Sequence, residues 1–169
     1  MITNVSMQEV TIGSQVWSSI NLNTGTFRNG DLIPEAKTSD EWLAACEKEE
    51  PAWCFYDNDP TNGGTYGKLY NWFAVNDPRG LAPYGWHIPD NDEWGQLLEY
   101  LDSTKEEEDQ DPLEWMMEGE TAGISLRKMR STNGWEKSYN GDNSCGFSGL
   151  PAGYREADGS FKLLGFFCG

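Results

Sequence analysis

The sequence predicts an α+β fold, and three observations carry that prediction. Residues 8–22 alternate around a Gly-Ser pair, as a β-hairpin does. Two stretches, 38–50 and 90–101, open on a capping residue and continue with apolar residues at helical spacing. The remainder is rich in glycine and aromatic residues, the mixture of a loop-rich domain with aromatic anchors and the opposite of a disordered chain.

Each element follows in order. In "QEVTIGSQVWSSINL", Val10 and Ile12 precede the turn at Gly13-Ser14 and Val16 follows it. "GTFRNGDLIP" brings a second turn at Asn29-Gly30 and a short strand-like end at Leu32-Ile33. "TSDEWLAACEKEE" is a helix: Thr38 caps it, Glu41 stands where the reciprocal bond requires it, and Pro51 ends it. Trp42, Leu43 and Cys46 are assigned to its inner face. "PAWCFYDNDPTNGGTYG" reads as an aromatic strand entering an acidic, glycine-rich loop. "TYGKLYNWFAV" reads as a helix, with Tyr66, Leu69, Tyr70 and Phe73 at i, i+3, i+4, i+7. The clearest helix is 90–101, where Trp94, Leu97, Leu98 and Leu101 make one apolar stripe. "DSTKEEEDQDP", including the acidic run Lys105–Asp111, reads as a solvated connection. "GETAGISLRKM" is a short helix with its basic residues near its end. From Trp135 onward the chain is turns and short strands. The length, 169 residues, suits one domain spanning 1–169.

Charge excludes some functions. The formal net charge of −16 repels phosphate backbones and anionic membrane surfaces, which argues against nucleic-acid binding. It is compatible with divalent cations, basic partners or neutral sugars. No apolar run is long enough to cross a membrane, and no leader is visible in this chain. The four cysteines, Cys46, Cys54, Cys145 and Cys168, form no Cys-x-x-Cys pair and lie far in sequence from the single histidine, His87, which argues against a structural zinc site. Two disulfides and four free thiols both remain open.

Four groups of residues invite a chemical reading. His87, in "GWHIPDNDEW", sits among acids, but Asp90 and Glu93 already have the spacing of a capping box and Pro89 holds the approach extended. No serine or cysteine stands in a nucleophile elbow, so no catalytic residue is assigned. Asp57, Asp59 and Asn62 are the candidate calcium ligands, hard oxygens at alternating positions before a Gly-Gly pair. The EF-hand pattern fails at Asn62 and at Lys68, so a rigid turn held by Asx-type bonds competes with the metal. Among the aromatics Trp53, Phe55, Tyr56, Trp72, Trp86 and Trp135, sugar stacking competes with burial in the core. Trp72 and Trp94 are expected inside. Trp135, in a polar loop with Asp142 and Asn143, is the candidate ligand site.

Four words stand here in a characteristic order: "VTIGSQVWSSINLNTGTFRNGDLIP", "WCFYDNDPTNGGTYGKLYNWFAV", "GLAPYGWHIPDNDEW" and "CGFSGLPAGYREADGSF". Over residues 10–165 the chain resembles the Fibrobacter succinogenes major paralogous domain. That resemblance implies an exported bacterial protein, often a surface lipoprotein. The Pro-x-x-x-Glu-Trp word at 89–94 is also similar to one in formylglycine-generating-enzyme domains. This likeness implies a C-type-lectin-like fold: a small twisted antiparallel sheet, long loops, and two main helices at Tyr66–Val75 and Asp90–Leu101. The chain departs from the pattern at Trp17-Ser18-Ser19-Ile20-Asn21-Leu22, where the family usually reads Trp-Met-x-x-Asn-Leu. The closing Trp-Ser-Ser segment and Val-Arg-Cys strand are expected to be absent. No counterpart of the enzymes' copper-binding cysteines is found, so oxidase activity is not carried over. The expectation is a non-catalytic, secreted or cell-surface binding or adhesion module. Its ligand would be a carbohydrate or a protein, and its only prospective cofactor calcium. The alternatives are a degenerate formylglycine-generating-enzyme-like domain and a structural domain of a larger surface protein.

Overall fold

The computed structural model describes residues 7–103 and 124–167. The chain divides into two compact units. A hairpin unit comprises Gln8–Ile20 and Pro89–Gly149, and a loop unit comprises Asn21–Ile88 and the segment from Leu150.

In the hairpin unit, β1 (Glu9–Ile12) pairs antiparallel with β2 (Gln15–Ser18), in the register Val10↔Trp17 and Thr11↔Val16. Gly13 takes a φ of 61°, which the two-residue turn requires and glycine supplies without strain. A Cβ there would lie 2.9 Å from the Tyr100 ring. Residues opposite one another share a face, so Val10 and Ile12 turn inward with Trp17, and Val16 is exposed with Thr11 behind it. α4 (Asn91–Ser103) begins as the sequence predicts: Glu93 N–H donates to Asp90 Oδ1 at 2.9 Å, and Asp90 N–H donates to Glu93 Oε2 at 3.0 Å. Its apolar stripe packs Leu97 and Leu101 against Ile12, Trp17 and Met129, with Trp94, Leu98 and Phe147 at the rim. Met129 belongs to a short helix, Ile124–Met129, which bears Arg127 and Lys128 in its last turn and packs on α4. The predicted acidic connection, from residue 104 on, lies outside the described residues.

In the loop unit, α1 (Ser39–Glu47) carries the complete capping box of Thr38 and Glu41. Trp42 is buried. Leu43 was assigned to the same face but is exposed, because successive residues on a helix point about 100° apart. The predicted helix over 66–75 is not formed. Instead, α2 (Gly63–Tyr66), β4 (Leu69–Tyr70) and α3 (Trp72–Val75) follow one another, and β4 pairs antiparallel with β3 (Trp53–Cys54).

Two residues break the expected helix. Gly67 adopts a φ of 72°, and a Cβ there would meet Leu22 O at 2.7 Å. Asn71 caps α3, and its Oδ1 accepts from Ala52 N at 2.9 Å and Ala74 N at 3.0 Å while its Nδ2 donates to Glu50 O at 2.8 Å. A side chain that satisfies three backbone groups elsewhere competes with helix continuation.

A third ladder joins β5 (Tyr154–Arg155) to β6 (Phe161–Lys162). Among the described residues the strands thus form three separate two-stranded sheets, where a single small sheet was expected. Two apolar clusters fill this unit, one around Phe27, Ile33, Ala74 and Leu81, the other around Ala36, Trp42, Ala52 and Cys54. The architecture is α+β.

Candidate functional site

The loop unit contains a cleft of about 310 Å³ whose lining includes Trp42, Tyr66, Lys68, Tyr70, Tyr154 and Arg155. Its walls come from segments far apart in sequence, each fixed by a local device. Gly67 lets the chain pass against Leu22 and so places Lys68, whose N–H donates to Leu22 O at 3.3 Å. Lys68 Nζ donates to Asn23 Oδ1 at 2.5 Å and stands 4.4 Å above the Trp53 ring. Burial lowers its pKa. Tyr70 is locked by its own hydroxyl, which donates to Thr24 O at 2.7 Å and accepts from Thr24 N at 2.9 Å. Burial raises the phenol well above its ordinary range, so it stays neutral.

Arg155 is the most constrained of these groups, at 8% exposure. Its guanidinium stacks 4.8 Å from the Trp42 ring and 4.4 Å from the Phe161 ring. Nε donates to Gly159 O at 3.1 Å, and Nη1 donates to Asn58 Oδ1 at 3.1 Å and to Ala36 O at 3.4 Å. Nη2 is buried without a hydrogen-bond partner.

The predicted calcium residues lie beside this assembly and already carry structural bonds. Asp57 and Asn58 are consecutive left-handed residues, at φ 55° and 54°, and that geometry belongs to the turn that offers Asn58 Oδ1 to Arg155. Asp59 Oδ1 accepts from Thr61 N at 2.9 Å, and this bond holds the carboxyl below its usual range. Asn62 Nδ2 donates to Tyr56 O at 3.0 Å. Among the described residues no group of three or more His, Cys, Asp or Glu side chains is placed to hold a metal ion.

Trp135, Asp142 and Asn143 belong to the hairpin unit and are likewise engaged. Trp135 is 7% exposed; its indole N–H is shared between Ser131 Oγ at 3.1 Å and Gly149 O at 3.2 Å, and the Arg130 guanidinium covers the ring at 4.5 Å. Asp142 accepts from Ser144 N at 2.8 Å and faces Arg127 at 3.6 Å. Asn143 ties down Ser148 through Oδ1 at 2.7 Å and Nδ2 at 2.9 Å. These bonds shape a loop and leave no bare indole face for stacking. Trp72, expected in the core, is instead 67% exposed. Its position as the first residue of α3, directly after the cap, turns it away from the packed side. His87 is exposed. Cys46, Cys54 and Cys145 are free thiols, and Cys168 lies outside the described residues.

From sequence alone neither Lys68 nor Arg155 is singled out as a functional candidate, and Trp72 is weighed for stacking but placed in the core. The sequence holds a signal for both cations: Lys68 lies between two tyrosines in "TYGKLY", and Arg155 directly follows one in "GYREAD".

The profile of the Fibrobacter succinogenes major domain matches residues 10–168, nearly the whole chain. The protein belongs to that family. No curated protein and no solved structure gives a match. No helix among the described residues is long and apolar enough to cross a membrane.

Proposed function

We propose that this protein is a non-catalytic binding module of C-type-lectin-like architecture, secreted or displayed on a bacterial surface. The cleft of the loop unit holds a carbohydrate or protein ligand. The observation that carries this reading is the cleft itself: a concave site of about 310 Å³, lined by three tyrosines, of which Tyr70 is locked through its hydroxyl, and by two cationic residues. Such a mixture of apolar faces and a few polar groups is what small-ligand sites use. The exposed indole of Trp72 offers a second aromatic surface on the same unit.

Two of the described thiols, Cys54 and Cys145, support a role without chemistry. Burial pushes both Cys54 and Cys145 above the ordinary thiol range, which removes the thiolate that a nucleophile or redox centre needs. Glycan-array binding, run with and without a chelator, tests the ligand class. Binding is expected under at least one condition, and chelator-sensitive binding would assign calcium to the Asp57–Asn62 loop. Silence under both conditions would count against a carbohydrate ligand. Protease shaving of intact cells tests display, with loss of the protein from the cell fraction as the expected outcome.

A further inference from the structure

We infer that the cleft of the loop unit selects a carboxylate-bearing sugar, a hexuronate whose carboxylate pairs with Lys68 in the field of the buried Arg155. This inference rests on the binding-module reading above and sharpens it.

The first observation is one of charge. The chain carries 28 acidic and 12 basic side chains, so a cation here has acids in plenty to pair with. Arg79 does so, reaching Asp77 at 2.8 Å and Asp31 at 3.2 Å, and Lys37 reaches Glu35 at 3.6 Å. Among the described residues Lys68 and Arg155, like Arg28 and Arg130, have no carboxylate at ion-pair distance. Glu35, whose charge is felt at Lys68, is taken by Lys37. Two cations without a carboxylate partner therefore line one cleft.

The second observation is independent of the first. Arg155 is more than nine-tenths buried, its neighbours are neutral, and Nη2 has no acceptor. A buried guanidinium without a counter-ion is unfavourable, and its charge is poorly screened by protein, so its field extends into the adjoining cleft. Lys68 is only half-buried and lines the cleft, its ammonium held by Asn23 Oδ1 at 2.5 Å. An entering carboxylate supplies the missing negative charge to both.

Size and surroundings narrow the ligand. The cleft lies at the small end of ligand sites, room for one ring. Tyr66, Tyr70 and Tyr154 offer the aromatic surface that the apolar face of a sugar ring uses. A polyanion would meet the repulsion of a surface at −16, whereas a single carboxylate meets the least of it.

Calorimetric titration of the whole chain tests this with four probes: glucuronate, galacturonate, glucose and N-acetylglycine. At least one uronate is expected to bind about tenfold or more tightly than glucose, the scale of one charge-assisted hydrogen bond. Lys68→Gln should bring the uronate down to the glucose level, Lys68→Arg should retain the preference, and added salt should weaken it. Lys68 is the position of choice because replacing the buried Arg155 would disturb the fold. If glucose binds as well as the uronates, or Lys68→Gln leaves uronate affinity unchanged, the charge selectivity is refuted while the binding-module reading stands. If N-acetylglycine equals the uronates, the site reads a carboxylate and not a sugar, and the inference fails on that arm. If none of the acids binds, the inference is overturned outright; the glycan array then decides separately whether a binding module remains.

Discussion

The two units of this molecule are held by different means. The hairpin unit has an ordinary apolar centre: one face of a hairpin and one stripe of α4 meet around Leu97, which is fully buried. The loop unit has two smaller apolar clusters, and its short segments are tied by polar side chains that reach across to backbone groups, Asn71 to Glu50, Ala52 and Ala74, Arg155 to Ala36 and Gly159, Tyr70 to Thr24, and by the bond from Arg155 to the Asn58 side chain. Where strands are two residues long, the ladder satisfies few backbone groups and side chains must satisfy the rest. The unit tied by polar side chains is also the one with the cleft.

That contrast can be broken by mutation. The largest effect is expected from Asn71→Ala. It leaves the Ala52 N–H and the Glu50 carbonyl without their partner, takes one of two acceptors from the Ala74 N–H, and should cost roughly 4 kcal/mol in urea unfolding. A cost below about 1 kcal/mol would show that apolar packing, and not polar tying, holds the loop unit. Leu97→Ala should cost about 3 kcal/mol, by lost transfer energy and a cavity. Hydrogen exchange should place the loosening in α4 and the hairpin, and an effect confined to the loop unit would contradict the assignment.

The two capping boxes form a matched pair. Thr38→Ala and Asp90→Ala should each cost about 1 kcal/mol, since the same bond is lost in either unit. Unequal costs, read from Tm shifts, would show that one unit depends more on its helix than the other.

The smallest effect concerns Asp77. The hydrogen bond from Arg79 outweighs burial and holds this carboxyl below its ordinary value of 3.8. A folded value below the unfolded one adds stability that is full above the unfolded pKa and is lost as pH falls through the folded one. Asp77→Asn should therefore narrow the stability difference between about pH 5 and about pH 3. An acid limb as steep as that of the parent would remove the pair from the account.

The same contrast explains what could be read from the sequence. Hairpin alternation, both capping boxes and the stripe on α4 obey periodic or local rules, and the structure follows them residue by residue. The segment 66–75 obeys the helical period equally well and is not one helix. Nothing in its spacing reveals that Asn71 will spend its amide on Ala52 and Glu50, or that Gly67 must lie against Leu22. Trp72 and Trp135 exchanged their expected exposures for a similar reason. Burial of a single aromatic depends on which neighbours arrive from elsewhere in the chain, here Ser131, Gly149 and Arg130 around Trp135. The cleft was hidden because its cations are separated by most of the chain.

Asn58 and Arg155 meet across 97 residues of sequence. The loop unit is therefore completed by a segment made only after the 61 residues Pro89–Gly149 that belong to the other unit. Until then Trp42 lacks its cationic cover, the left-handed pair at Asp57-Asn58 lacks the bond that helps hold it, and the cleft lacks one wall. Synthesis order thus makes the cleft a late event, and a chain cut short before Tyr154 would retain most of the family's words while lacking the cleft.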